Sequence, residues 1–76
     1  MELIDVFKAV RSNIVTINDT NTLVELGIDS FDTMKLIFEI EDVYGIVISD
    51  EEINPDNFAT VLGIKNLLRK HGVKFK

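Results

Sequence analysis

The sequence has no cysteine and a single histidine, so neither a disulfide framework nor a Cys/His zinc site holds its 76 residues together. Packing has to suffice. At this length nearly every long apolar side chain must serve one shared core, which leaves little room for an enclosed active site and predicts one domain over residues 1–76. No apolar run is long enough to span a bilayer, and no stretch has the basic, apolar, then small-residue layout of a signal peptide. With the missing cysteines, that fits a cytoplasmic chain. The inventory for catalysis is equally thin. There is no thiol nucleophile, and His71 stands beside a C-terminal stop signal, where it reads as a complement to a helix C-terminus. The acidic loops 18–29 and 49–60 lack the alternating oxygen ligands, the glycine and the terminal glutamate of a calcium-binding EF-hand. The expectation is a protein that is not an enzyme and holds no metal of its own.

What the chain has in quantity is negative charge. All thirteen carboxylates lie within residues 1–60 against Lys8, Arg11 and Lys35, while 61–76 carry Lys65, Arg69, Lys70, Lys74 and Lys76. An acidic body repels phosphate backbones and favours basic protein partners, which argues against nucleic-acid binding. The basic tail suits solubility and the negative end of a helix dipole.

Leu3, Val6, Phe7, Val10 and Ile14 recur at spacings of three and four, predicting an amphipathic helix from Glu2 to about Thr16. Asn18-Asp19-Thr20-Asn21-Thr22 then reads as a long loop, pinned to the core by Leu23, Leu26 and Ile28, with Gly27 closing a turn. A second helix is predicted from Ser30 to Tyr44, with Asp29 or Ser30 as its N-cap, Asp32 in the first turn and Gly45 as its end. Ile46-Val47-Ile48 suits an extended connector, and Ser49-Asp50-Glu51-Glu52 suits a further helical turn. Asn54-Pro55 predicts a short helix through Phe58 and Ala59, and Thr60 caps a last one with Val61, Ile64, Leu67 and Leu68 inward and Gly72 as its stop. The expected fold is all-α, a four-helix bundle of three longer helices and one short third helix.

The second helix has two apolar faces. At about 100° per residue, with Met34 at zero, Thr33, Leu36, Ile37, Ile40, Val43 and Tyr44 fall within roughly 180–300°, a core-facing stripe. Phe31, Met34 and Phe38 fall on the opposite side, among Lys35, Glu41 and Asp42. An apolar triad ringed by charge has the make-up of a docking patch. The alternative is that Phe31 packs under the preceding loop and Phe38 under the segment near Ile48, which would bury the helix nearly all round in a chain with little material to do it.

Glu25-Leu26-Gly27-Ile28-Asp29-Ser30-Phe31 resembles the Gly-x-Asp-Ser-hydrophobe signature of acyl and peptidyl carrier proteins, set between a long first loop and a second helix as in that family. The likeness continues in Glu41-Asp42-x-Tyr44-Gly45-Ile46 and in Asn57-Phe58-Ala59-Thr60-Val61 with Ile64 and Leu67-Leu68, so it covers essentially the whole chain to His71. A bare four-residue motif is weak; in this helix order, length and charge it is specific. The resemblance implies a four-helix carrier fold. It also implies 4′-phosphopantetheine attached covalently to Ser30 by a phosphopantetheinyl transferase, with coenzyme A as donor. The arm's thiol would carry acyl or aminoacyl groups as thioesters. By the same resemblance Asp29 helps organise the metal ion of the transfer, and Gly27 lets the backbone turn sharply before the site. A serine at a helix N-terminus is exposed and near a positive dipole end, which favours a phosphate. The plain alternative for Ser30 is an N-cap.

Two positions depart from the pattern of a housekeeping fatty-acid carrier. Phe31 stands where leucine is commonest, and Lys35 where glutamate is usual. A cation at Lys35 weakens attraction to a basic synthase surface, pointing to a specialised carrier for polyketide, nonribosomal peptide or related synthesis. The implied partners are the transferase, an acyl- or aminoacyl-loading enzyme and pathway synthases, acting on a monomer. A helical adaptor that binds through Phe31, Met34 and Phe38 without a prosthetic group is the reading from another class.

Overall fold

A computed structural model describes residues 2–74; Lys76 of the basic tail lies outside them. Helices α1 (Leu3–Val10), α2 (Ser30–Tyr44), α3 (Pro55–Phe58) and α4 (Val61–Lys70) follow in order, with a 3₁₀ turn at Asp50–Glu52. Among the described residues there is no strand, only an isolated bridge between Thr22 and Thr60, and no helix long and apolar enough to cross a membrane. α1 packs on α2 and α3 on α4. All four share one core that includes Val6, Phe7, Leu36, Ile40, Val61, Ile64 and Leu68.

The first helix is shorter than its apolar spacing predicts. Arg11 leaves helical geometry at φ −135° and ψ 103°, although its N–H still donates to the Phe7 carbonyl. Ser12 and Asn13 form a turn, and the β-branched residues from Ile14 to Ile17 that follow are weak helix formers. Ile14 is nevertheless buried, so the core receives it from irregular backbone rather than from another helical turn.

The loop after it is a strap built from paired turns. The Asn18 N–H donates to Asn21 Oδ1, while the Thr22 N–H donates to Glu25 Oε1 and the Glu25 N–H to Thr22 Oγ1. A helix begins with N–H groups that have no partner within it. At α4 the strap supplies partners: the Val61 N–H donates to the Asn21 carbonyl (3.0 Å) and the Leu62 N–H to the Asp19 carbonyl (3.1 Å). Thr60 Oγ1 accepts from the Gly63 N–H, and Lys65 Nζ pairs with Asp19 at 2.6 Å.

Gly63 lets α3 and α4 meet. A Cβ there would stand 2.7 Å from the Asp56 carbonyl oxygen and 2.9 Å from that of Asn57. Asn54 caps α3 by accepting from the Asn57 N–H, with Pro55 at its first position. His71 does more than complement a dipole. Its Nε2 lies 2.9 Å and 3.1 Å from the two Glu52 carboxylate oxygens, which ties the end of α4 to the 3₁₀ turn. Glu52 is held below the usual carboxylate range, first by the Ser49 N–H it accepts, then by His71.

Candidate functional site

The segment before Ser30 is assembled from short-range bonds. The Gly27 N–H donates to the Val24 carbonyl and the Ile28 N–H to that of Leu23. Gly27 has φ 79°, a left-handed conformation that costs a side-chain-bearing residue free energy. Ile28 is buried immediately afterwards, so the chain is fixed to the core on entering α2.

Asp29, not Ser30, is the N-cap: its Oδ1 accepts the Asp32 N–H at 2.8 Å. Thr33 Oγ1 and the Thr33 N–H both donate to the Asp29 carbonyl. The Asp29 carboxyl is held below its ordinary range chiefly by the Asp32 N–H, with help from the Arg11 charge and the Phe31 N–H. Ser30 therefore occupies the first helical position, exposed, and the capping of α2 does not depend on its hydroxyl.

Two features here are not readable from the motif. Arg11 reaches the site from the end of α1: its Nε–H donates to the Gly27 carbonyl at 3.0 Å and lies 3.0 Å from Asp32 Oδ2. Asp32 is only 7% exposed, and its Oδ2 has this ion pair but no aligned hydrogen-bond donor. The only sequence signal was an arginine of opposite sign to Asp29 and Asp32, many residues away. The second is a cleft of about 540 Å³ beside Ser30, lined by Leu23, Val24, Ile28, Thr33, Phe58 and Ala59 together with Thr22 and Asp29. Its far wall comes from α3, brought close by the Leu23 N–H donating to the Ala59 carbonyl.

Down α2 from Ser30, the core-facing stripe is packed as its angles predict: Leu36, Ile37 and Ile40 are buried, with Val43 and Tyr44 half-buried against them. Phe31 (70% exposed), Met34 (44%) and Phe38 (62%) stay in solvent, so neither the loop nor the segment around Ile48 covers them. Lys35 Nζ lies 4.9 Å above the Phe31 ring, a cation–π contact. Asp42 is exposed on the same side. Glu41 differs from its expected place in the charged rim, because its Oε2 accepts the Ile48 N–H at 2.9 Å and so holds the connector to α2.

An exposed primary hydroxyl at a rigid helix start, next to a cleft with apolar walls and a polar edge, fits a covalently attached flexible arm. Among the described residues no three His, Cys, Asp or Glu side chains form a metal-binding group.

Comparison with known proteins gives this arrangement a context. Residues 2–68 match the family model described as the phosphopantetheine attachment site. An acyl carrier protein homolog of Mycoplasma genitalium is 45% identical over 51 residues, 64% of this chain and 61% of that protein, so the match spans less than two thirds of the relative. An acyl carrier protein of Buchnera aphidicola subsp. Acyrthosiphon pisum is 39% identical over 57 residues, 75% of this chain and 69% of the relative. In fold, the chain superposes with a TM-score of 0.80 and 23% identity on a chain in the crystal structure of Bradyrhizobium japonicum glycine:[carrier protein] ligase complexed with its cognate carrier protein and a glycyl adenylate analogue. That match covers 90% of this chain and 91% of the other. A second structure, of the ligase with glycylated carrier protein, gives a TM-score of 0.77 at 24% identity, covering 86% and 90%.

Proposed function

The chain belongs to the acyl carrier protein family, whose prosthetic group is a covalently bound 4′-phosphopantetheine, and we propose that Ser30 is where this chain carries it. The observation that carries the reading is the exposed Ser30 hydroxyl at the first position of α2, with its cap supplied independently by Asp29 and the cleft at its side. In the transfer, Ser30 Oγ attacks the phosphorus that bears the pantetheine. The pyrophosphate bond of coenzyme A breaks, 3′,5′-ADP leaves, and the serine proton passes to a base. Asp29, exposed and readily ionised, is placed to help the transferase and coenzyme A hold the metal ion of that reaction.

The protein is then a substrate of its partners rather than a catalyst: one cytoplasmic carrier domain, monomeric, presenting an acyl or aminoacyl thioester. Partners dock over Phe31, Met34 and Phe38, with Lys35 and Asp42 setting orientation; Glu41 contributes little because Ile48 occupies it. Lys35 above Phe31 places a cation on this face, which favours enzymes of a specialised pathway over a basic fatty-acid synthase surface. The ligase partner of the structural relatives makes an adenylating loading enzyme the first class to test.

The decisive experiment is intact-protein mass after incubation with coenzyme A, magnesium and a promiscuous transferase. Wild type should gain one phosphopantetheine and Ser30→Ala none; an unmodified wild type would favour the adaptor reading instead. Carried on with fatty-acid malonyl transferase and ketosynthase, the holo protein should load and extend poorly. Lys35→Glu should improve it, and loading as efficient as on those enzymes' own carrier would remove the specialised assignment.

A further inference from the structure

Arg11 stands outside the motif, at the end of α1, yet it contacts groups on both sides of Ser30. Its Nε–H is bonded to the carbonyl of Gly27, and the same nitrogen is 3.0 Å from the Asp32 carboxylate. Gly27 lies before the serine and Asp32 after it, so one planar group joined to α1 closes a frame around the residue that reacts. The rest of the frame is local: Asp29 accepts from the Asp32 N–H, and the Thr33 hydroxyl donates to the Asp29 carbonyl. Among the described residues, Arg11 is the charged side chain that connects that turn to another element.

Asp32 adds a reason for the arginine to be there. A carboxylate this buried needs compensation, and among the described residues the ion pair its Oδ2 makes is with Arg11. The Asp32 N–H is already donated to Asp29. Without the guanidinium the carboxylate is left buried with no opposite charge beside it, and turning out to solvent relieves that. Turning out displaces the first turn of α2, which contains Ser30. The Arg11 side chain is 44% exposed, and its two contacts are with Gly27 and Asp32 rather than with Ser30. Its effect on the serine is therefore indirect.

We propose that Arg11 is a positioning residue for phosphopantetheine transfer, holding the Gly27–Asp32 turn so that the Ser30 hydroxyl is presented in line with the incoming phosphorus. Lysine cannot replace it. One ammonium on a flexible stem neutralises Asp32 as a point charge but does not hold the Nε–H of a planar group between the Gly27 carbonyl and the Asp32 carboxylate. The inference rests on Ser30 being the attachment site.

The test is steady-state kinetics of transfer from coenzyme A, varying the carrier, on the full chain. Arg11→Lys keeps a charge beside Asp32. The double variant Arg11→Met with Asp32→Asn removes the buried charge and its partner together, so it stays folded even if Arg11→Met alone does not. Both should retain wild-type helical circular dichroism. Because the docking face is untouched, KM for the carrier should change little, while kcat falls about ten- to a hundred-fold in the double variant, the scale of a small misplacement of a reacting group. Arg11→Lys should fall between it and wild type. A folded double variant modified at the wild-type kcat overturns the proposal, as does a loss confined to KM. Wild type left unmodified under the same conditions overturns the Ser30 assignment, and this inference with it.

Discussion

Tyr44 is the only tyrosine in the chain, and its hydroxyl ionises above the usual phenol value. Burial against the core is the main cause, and the carboxylates of Asp5 and Glu2 on α1 add to it by repelling a phenolate. The native state thus binds the phenolic proton more tightly than the unfolded chain does. That contribution to stability is complete below the ordinary phenol value and is lost as pH rises through the higher folded one. Titrated by phenolate absorbance, native protein should show a midpoint above that of the same protein in denaturant. Asp5→Asn should lower the native midpoint slightly; coincident native and denatured curves would contradict the half-buried position of the ring. At this scale the sequence was informative where chemistry is local. The turn at Gly27 and a cap at Asp29 or Ser30 could be read from adjacent residues, because caps and turns are made by near neighbours. Arg11 could not, since its two contacts are made across the gap between α1 and α2 and depend on how those helices pack.

The helices divide in the same way. α2 was legible from end to end: Asp29 caps it, its apolar period runs unbroken, and Gly45 at φ 65° stops it. Its second apolar face was legible too, because the angles leave Phe31, Met34 and Phe38 pointing away from any core the chain could supply. α1 misled, because Ile14 continues the helical spacing and is buried, but arrives there after a turn. Spacing predicts which residue is buried and says less about the backbone that delivers it. Gly63 gave no signal, since close approach is a property of the partner helix. It carries a prediction. In an isolated helix Gly→Ala gains about 1 kcal/mol. Here the new methyl overlaps two carbonyl oxygens of α3, so Gly63→Ala should be destabilising by about 1–3 kcal/mol, read as a lower urea midpoint. A raised midpoint would show that α3 yields easily. Because Phe58 and Ala59 line the cleft, the displacement should also alter it.

Over the whole molecule, charge and packing are arranged in two helix pairs with the strap between them. The strap satisfies the first amides of α4, which in an ordinary helix exchange rapidly with solvent. Hydrogen exchange followed by NMR should find Val61 and Leu62 protected nearly as well as residues in the middle of α4; fast exchange at both would mean that the strap detaches on its own. These contacts also bear on how the protein is made. Asp19–Leu23 and Ala59–Leu62 are joined only after most of the chain has been laid down, so they are among the longest loop closures the fold requires. Until they form, the cleft beside Ser30 has no second wall. The cleft beside Ser30 is therefore complete only on molecules that have finished folding, because its far wall at Phe58 and Ala59 is brought in by these closures.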